Sequence, residues 1–335
     1  MYDGRGVFTG LLYGGWPADD VVAKSMRFGI VLPHFRPVAG ASAIRDTAQA
    51  VERLGFDSVW VTDRAALPPG SPRRQFGPAF FDPFVTLSYV AAKTERVRLG
   101  ATVFVLPFRH PVLAARAIAS LDQLSDGRVI VGAGAGWMPE EFGAIGVPFH
   151  RRGRLTDEYL EAMIALWSSR VASFSGPTVK FENLSSEPLP VQRPHPPIWV
   201  GGRALAALRR AVKHGDAWHG SPEPLSKLRQ VTAALAEEAK LQGRDPASIK
   251  LTTRAPLHFA TGSRTNLSGA ELPDYPFGTP DEVIASIDRY KVAGFSELVF
   301  DTFFAGFPEL DDATPESILR TMELFARAVM PAFKT

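Results

Sequence analysis

The sequence predicts an α/β protein built as a (β/α)8 (TIM) barrel, and three observations lead there. Short apolar runs alternate with amphipathic helical stretches from residue 27 onward, and eight such pairs follow one another. Most of the apolar runs are continuous, as expected for parallel strands that are covered on both faces. No close internal repeat indicates a solenoid. An open, doubly wound parallel sheet is the alternative that the same pattern allows.

The first four strand–helix units precede residue 168. Their predicted strands are residues 28–32, 58–62, 97–106 and 129–132. Their predicted helices are residues 44–54, 84–91, 111–124 and 155–167. Gly55 follows the first helix as a stop signal, and Pro111 stands where the first turn of a helix tolerates proline. These boundary residues support the division into separate units.

The last four units follow a stretch over residues 170–197 that is rich in Pro and Ser. We predict this stretch to be an irregular insertion before the fifth strand, and residues 261–278 to be a loop. The remaining predicted strands are residues 198–200, 217–218, 249–258 and 297–300, and the remaining helices are residues 204–212, 224–242, 279–292 and 314–329. Residues 1–25 precede the first element, so we expect a flexible N-terminal extension and one barrel domain over residues 26–335.

Composition excludes several classes of function. Lys plus Arg number 37 and Asp plus Glu number 35, a formal net charge of +2 that gives no reason to expect a nucleic-acid partner. The chain has no cysteine, so thiolate nucleophiles, disulfides and Cys-based metal sites are excluded. No apolar run reaches the ~18–20 residues of a membrane span, and the start lacks the pattern of a secretory signal. We therefore expect a cytoplasmic protein that does not bind membranes.

Candidate site residues lie at the carboxyl ends of the strands, where barrel enzymes place their active sites. Two of these ends are rich in glycine. The segment from Gly132 to Trp137 either lets a flat ligand approach the backbone or makes a tight turn. Gly201-Gly202-Arg203 opens a helix and either binds phosphate or makes a turn. The histidines at strand ends, His34, His110 and His219, lack metal-ligand spacing, so we expect no metal site.

Several longer motifs together carry a family resemblance. They are LSDGRVIVGAGAGW at residues 124–137, EEF at 140–142, GVPF at 146–149, PPIWVGG at 196–202 and GDAW at 215–218. With these motifs the chain resembles the bacterial luciferase-like superfamily over residues 26–325. More specifically, it is similar to the actinobacterial branch of oxidoreductases that depend on coenzyme F420, a deazaflavin. The resemblance implies a (β/α)8 barrel that holds the cofactor ring at its carboxyl-terminal mouth.

The resemblance also implies roles for individual residues. Thr102 and Val103 match a third-strand bulge with a non-proline cis peptide bond that supports the ring. The implied cofactor-binding residues are Asp63, Thr102, Val103, Gly134, Gly136, Trp137, Glu140, Gly201, Gly202 and Arg203. The implied catalytic residues are His34, Asp63 and Arg64. The implied substrate pocket includes Phe104, Trp218 and His219.

The leading interpretation is hydride transfer between C5 of F420 and a small, largely apolar substrate, with His34, His219 or water handling any proton. Arg64 stands where many F420-dependent relatives have His, and Trp137 stands where the sugar-phosphate dehydrogenases of the family have Glu. A sugar-phosphate substrate is therefore disfavoured. The alternatives are an FMN-dependent monooxygenase that uses separately reduced flavin and O2, and a non-catalytic flavin-binding protein. Relatives imply a homodimer, and a flavin or F420 reductase could supply reduced cofactor.

Overall fold

Eight parallel strands close into a barrel in the computed structural model, which describes residues 25–66, 77, 79–260, 275–303, 310 and 312–334. In chain order the barrel strands are β1 (Arg27–Val31), β2 (Ser58–Val61), β3 (Arg98–Ala101), β4 (Val129–Gly134), β5 (Ile198–Gly201), β6 (Ala217–Gly220), β7 (Lys250–Pro256) and β8 (Phe295–Asp301). Each strand pairs with the next, and β8 pairs with β1. The predicted (β/α)8 barrel is confirmed.

Helices connect the strands and cover the outside of the barrel. They are α1 (Ala41–Arg53), α2 (Pro83–Ala91), α3 (Pro111–Leu124), α4 (Pro139–Ala144), α5 (Arg152–Ser168), α6 (Leu205–His214), α7 (Leu225–Leu241), α8 (Pro280–Val292) and α9 (Pro315–Ala328). The sequence analysis did not predict α4, a short helix after β4. None of the helices within the described ranges is both long and apolar enough to cross a membrane.

Local sequence explains where several helices begin. The Asp82 carboxylate accepts hydrogen bonds from the backbone N–H groups of Phe84 and Val85 at the start of α2. Thr279 and Glu282 form a reciprocal capping box at the start of α8. By contrast, α6 begins after Ala204, whose side chain cannot cap it. The backbone N–H groups at the start of α6 therefore have no side-chain acceptor from the capping residue.

Three segments differ from the prediction. The third strand, predicted as residues 97–106, ends at Ala101, and a separate short strand, Phe104–Val105, pairs with β4. The insertion at 170–197 is not wholly irregular, because Val171–Ser175 and Lys180–Ser185 pair as an antiparallel hairpin. In the predicted loop at 261–278, Phe277–Gly278 pairs with His258–Phe259.

Two predicted segments lie largely outside the described residues. Residues 261–274 of the predicted loop lie outside the described residues, as do residues 1–24 of the predicted N-terminal extension. The one-domain interpretation of residues 26–335 stays a prediction.

Candidate active site

A bulge at the end of β3 occupies the barrel mouth and explains most of the glycines that the sequence places there. The peptide bond between Thr102 and Val103 is cis, as the family resemblance implies. A Cβ atom added to Gly134 would lie 2.2 Å from Val103 Cγ2, and one on Gly201 would lie 2.8 Å from Val103 Cγ1. On Gly132 it would lie 1.7 Å from the Ala101 carbonyl oxygen. These glycines are therefore required by the bulge itself.

The two histidines of the predicted site are fully enclosed. His34 Nδ1 lies 2.7 Å from the Leu32 carbonyl oxygen, and His34 Nε2 accepts the Thr62 N–H at 2.8 Å. His219 is also buried, with both ring nitrogens bonded to threonine hydroxyls. Burial, together with the nearby Arg254 guanidinium, lowers the pKa of each histidine to about 3. Both rings are therefore neutral at pH 7, which favours a structural role over proton donation.

Asp63, a predicted catalytic and cofactor-binding residue, uses both carboxylate oxygens within the protein. They accept hydrogen bonds from the Arg109 guanidinium at 2.6 and 3.0 Å, and one also accepts the Val105 N–H at 3.0 Å. Burial raises the pKa of Asp63, and the ion pair with Arg109 opposes that rise. Arg109 also donates to Asp82 at 2.8 Å. Asp63 thus ties the short strand behind the bulge to the start of α2.

Arg64 joins the end of β2 to the loop after β4. Its guanidinium donates to the buried Glu141 carboxylate at 2.9 Å and lies 4.2 Å from the centre of the Trp137 ring. Glu141 also accepts the Ala65 N–H at 2.9 Å. Trp137 remains 41% exposed at the mouth. Glu140, the predicted cofactor-binding residue, is exposed, while the adjacent Glu141 is the buried one.

The predicted phosphate turn lies at the ends of β5 and β6, next to the uncapped start of α6. Gly202 has a φ of +112°, and its carbonyl oxygen accepts the Trp218 indole N–H at 2.8 Å. Arg203 pairs with Glu223 at 2.6 Å. A small cavity opens here, lined by Gly202, Arg203, Trp218, Ser221, Glu223, Lys227, Leu228 and Val231. Lys227 lies 3.5 Å from the same Glu223 carboxylate, so two cations share one anion. The remaining positive charge and the backbone donors fit a phosphate group at this position.

Two predicted pocket residues are more deeply buried than a substrate-contacting role requires. Phe104 is 1% exposed and stacks on Phe84 with ring centroids 4.7 Å apart. Trp218 is also 1% exposed and lines the cavity beside Gly202. Their large side chains pack the wall behind the mouth. Sequence position alone could not reveal this, because it places a residue at a strand end without fixing the direction of its side chain.

Other residues at the mouth carry roles that the sequence analysis did not assign. Arg109 and Glu141 are the partners of Asp63 and Arg64, and Arg254 forms a buried ion pair with Asp301. An aromatic cluster covers the end of β1, with the Phe35 ring 5.2 Å from Phe80 and 5.1 Å from Phe303. The motif EEF and the strand-end segments contained several of these residues. Their pairing depends on tertiary contacts that no local pattern encodes.

No grouping of three or more potential metal ligands occurs among the residues that the structure describes. The arrangement at the mouth instead offers a rigid bulge, paired charges, an aromatic wall and a turn with free backbone donors. Such a surface suits a large planar ligand with a phosphorylated side chain. The chemistry would then be that of the ligand, which the protein holds and orients.

Comparisons with known proteins agree with this architecture. An uncharacterized protein of Mycobacterium tuberculosis, Rv0953c, is 41% identical over 165 residues, covering 47% of this chain and 58% of that protein. The chain thus matches less than two thirds of the length of this curated relative. The FMNH2-dependent dimethylsulfone monooxygenase of Pseudomonas putida is 33% identical over 179 residues, covering 52% of this chain and 47% of that enzyme.

A solved structure extends the comparison to nearly the whole chain. An F420-dependent secondary alcohol dehydrogenase, in complex with an F420–acetone adduct, superposes with a TM-score of 0.73 at 18% identity. The alignment covers 93% of this chain and 100% of the dehydrogenase, and at this identity it shows a shared fold. The family model described as luciferase-like monooxygenase matches residues 26–266. The chain therefore belongs to the luciferase-like monooxygenase family, whose members share this barrel.

Proposed function

We propose that the protein is an oxidoreductase that transfers a hydride between coenzyme F420 and a small, largely apolar organic substrate at the barrel mouth. The choice of F420 rests on the sequence motifs that resemble the F420-dependent branch. When bound, F420 would supply or accept a hydride at C5 of its deazaflavin ring. The protein would bind and orient the ring, exclude water and select the substrate.

The observation that carries the substrate class is the pairing of charges at the mouth. Arg64 pairs with Glu141, Arg109 with Asp63, and Arg254 with Asp301, and each of these carboxylates is buried. An ion pair of this kind has no net charge to offer an anionic substrate. Together with the partly exposed Trp137 side chain and the aromatic cluster at β1, the paired charges favour an uncharged, apolar substrate.

Different residues of the mouth would hold the ring and the phosphate of the cofactor. The bulge at Thr102 and Val103 would support the ring. Gly202, Arg203 and the uncapped start of α6 would hold the phosphate of the side chain. Because His34 and His219 are neutral and enclosed, we propose that water handles any proton that accompanies the hydride.

The second candidate is a monooxygenase that uses separately reduced FMN and O2. The specific observation in its favour is the 33% identity to the FMNH2-dependent dimethylsulfone monooxygenase. The same bulge and phosphate turn would serve FMN. In this case a partner reductase would have to supply the reduced flavin.

The test is a pair of fluorescence titrations of the purified protein with F420 and with FMN. Micromolar or tighter binding of F420, with FMN at least tenfold weaker, supports the proposal. Turnover with uncharged ketones or alcohols, and none with sugar phosphates, would then support the substrate class. Preference for FMN, with oxygen consumption after addition of reduced flavin, would replace the proposal with the second candidate. Tight binding without any turnover would indicate a non-catalytic carrier.

We also propose that the protein is a homodimer that joins through α2 and α3. Phe81, Val85 and Leu113 expose apolar side chains, 38%, 69% and 67% respectively, at the starts of these two helices, which pack together. A shared apolar surface of this kind fits a second copy of the chain. Sedimentation velocity of the wild type and of Val85→Glu tests this. A dimer that the substitution converts to monomer supports the proposal, and a wild-type monomer contradicts it.

A further inference from the structure

A directed chain of hydrogen bonds runs through the barrel to the bulge. His219 Nδ1 lies 2.9 Å from Thr252 Oγ1, and His219 Nε2 lies 2.9 Å from Thr102 Oγ1. The Thr252 hydroxyl in turn donates to the Trp218 carbonyl oxygen at 3.2 Å. The imidazole thus stands between the hydroxyl of a barrel strand and the hydroxyl of the bulge.

One assignment of protons makes all three contacts hydrogen bonds. A hydroxyl carries one proton and a carbonyl oxygen cannot donate, so in this assignment Thr252 donates to the Trp218 carbonyl oxygen. Thr252 Oγ1 must therefore accept from His219, so the imidazole proton resides on Nδ1. A neutral imidazole has only one N–H, so Nε2 is an acceptor. Thr102 must then donate its own proton to His219 Nε2.

Packing holds the imidazole in this orientation. The His219 ring stacks on Trp60, with centroids 5.3 Å apart and planes 6° apart, and lies against Trp199 at 5.7 Å. His219 is 2% exposed, and Thr102 is half-buried at the mouth. Rotation of the ring would break both hydrogen bonds and the stack. The proton of the Thr102 hydroxyl is therefore fixed toward the interior.

We propose that His219 is a positioning residue that makes the Thr102 hydroxyl a hydrogen-bond acceptor for a donor group of the bound cofactor. This inference rests on the proposed function, since it assumes that a flavin or deazaflavin binds at the bulge. Because the Thr102 proton is committed to His219, only the oxygen lone pairs remain for a ligand. The bulge then selects a ligand that presents an N–H or O–H donor at this point.

Two substitutions separate this role from simple packing. His219→Gln places an amide oxygen near the former Nε2 and can still accept from Thr102. His219→Asn places its amide near the former Nδ1 and can reach only Thr252. Both remove the ring that stacks on Trp60. We expect His219→Asn to weaken cofactor binding about tenfold or more, and His219→Gln to stay within about threefold of the wild type.

Thr102 supplies the complementary variants. Thr102→Val removes the hydroxyl at nearly constant shape and should weaken cofactor binding as much as His219→Asn does. Thr102→Ser keeps the hydroxyl and should retain most of the wild-type affinity. The double variant Thr102→Val/His219→Asn should bind no worse than either single variant, since both break the same link. Equal losses in His219→Gln and His219→Asn, or additive losses in the double variant, would overturn the proposal.

A measurement without cofactor distinguishes failure of the proposal from failure of the proposed function. The chain has seven histidines, and comparison with His219→Gln identifies the 15N signals of His219. A bare Nε2 and a protonated Nδ1, with Nε2 shifted in Thr102→Val, would support the directed chain even if neither F420 nor FMN binds. A proton on Nε2 would overturn the inference whichever cofactor the protein uses.

Discussion

Ion pairs and hydrogen bonds stabilise both the floor of the barrel, near the amino-terminal ends of the strands, and its mouth. The segments that these contacts join differ between the two ends. At the floor, Glu297 pairs with Arg98 at 2.6 Å and accepts the Ser58 hydroxyl at 2.7 Å, and Ser58 accepts the Trp60 indole N–H. All four residues belong to barrel strands. At the mouth, two ion pairs join strand ends to connecting segments, Arg64 to Glu141 of α4 and Asp63 to Arg109, whereas Arg254–Asp301 joins β7 to β8.

This difference indicates how the barrel divides stability from function. A network confined to strands links the strands of the barrel to one another and does not position a segment that could contact a ligand. A network that reaches into the connecting segments fixes the position of groups that can meet a ligand, such as Trp137. We therefore expect substitutions at the floor to change the free energy of unfolding alone. Substitutions at the mouth should change both unfolding and ligand affinity.

The largest effect should follow from removing a buried carboxylate at the floor. Glu297→Ala leaves Arg98 without its partner and should lower the free energy of unfolding by about 3–5 kcal/mol. Glu141→Ala is the matched change at the mouth, since Glu141 is 1% and Glu297 2% exposed. Urea denaturation and cofactor titration should show a stability loss in both variants and an affinity loss only in Glu141→Ala. Equal affinity losses would contradict the division.

Acid should destabilise the protein through two buried histidines of the site. His34 and His219 have their pKa values lowered by burial to about 3, whereas an unfolded histidine titrates near 6.5. The unfolded chain therefore binds more protons below pH 6.5, and stability is lost as the pH falls from there toward 3. Each histidine contributes up to about 1.4 kcal/mol per pH unit.

The measurement is the slope of unfolding free energy against pH between 6 and 4.5. His219→Gln should remove one proton from the slope, and His34→Gln should remove another. A slope unaffected by either buried substitution would show that the rings are not held neutral as the hydrogen bonds indicate.

Replacing a glycine at the mouth with alanine should be partly rescued by a second substitution, provided that the added methyl group clashes with a side chain and not with the backbone. Gly134→Ala places a methyl group against Val103 Cγ2 and should cost about 1–3 kcal/mol of stability. Val103→Ala removes the clashing atoms, so the double variant should recover part of that loss. Gly132→Ala meets the Ala101 carbonyl oxygen instead, and Val103→Ala should not rescue it. Thermal unfolding of the three single variants and the two double variants checks this, and rescue of Gly132→Ala would contradict the assigned contacts.

The sequence predicted the barrel well because its signals are local and repeated. Continuous apolar strands, the stop at Gly55 and the proline at Pro111 mark the strand–helix units before any contact is known. The site was predicted less completely. The strand ends located Asp63 and Arg64, but their partners Arg109 and Glu141 lie 46 and 77 residues away along the chain. The glycines of the motif at 132–136 predicted either a ligand approach or a tight turn, whereas three-dimensional packing against Val103 explains Gly134.

The smallest effect on stability should come from the cation–π contact at the mouth. Trp137→Leu removes the ring that lies 4.2 Å from the Arg64 guanidinium and should cost about 0.5–1 kcal/mol, because the contact is partly exposed. Tyr89→Leu is the control, since Lys93 lies 6.0 Å from the Tyr89 ring on the outer helix α2. If Trp137 also contacts the ligand, cofactor or substrate affinity should fall by more than this stability loss implies, while Tyr89→Leu leaves affinity unchanged. Unaltered affinity in Trp137→Leu would assign the ring to the wall of the mouth, where it would hold Arg64 in place without contacting the ligand.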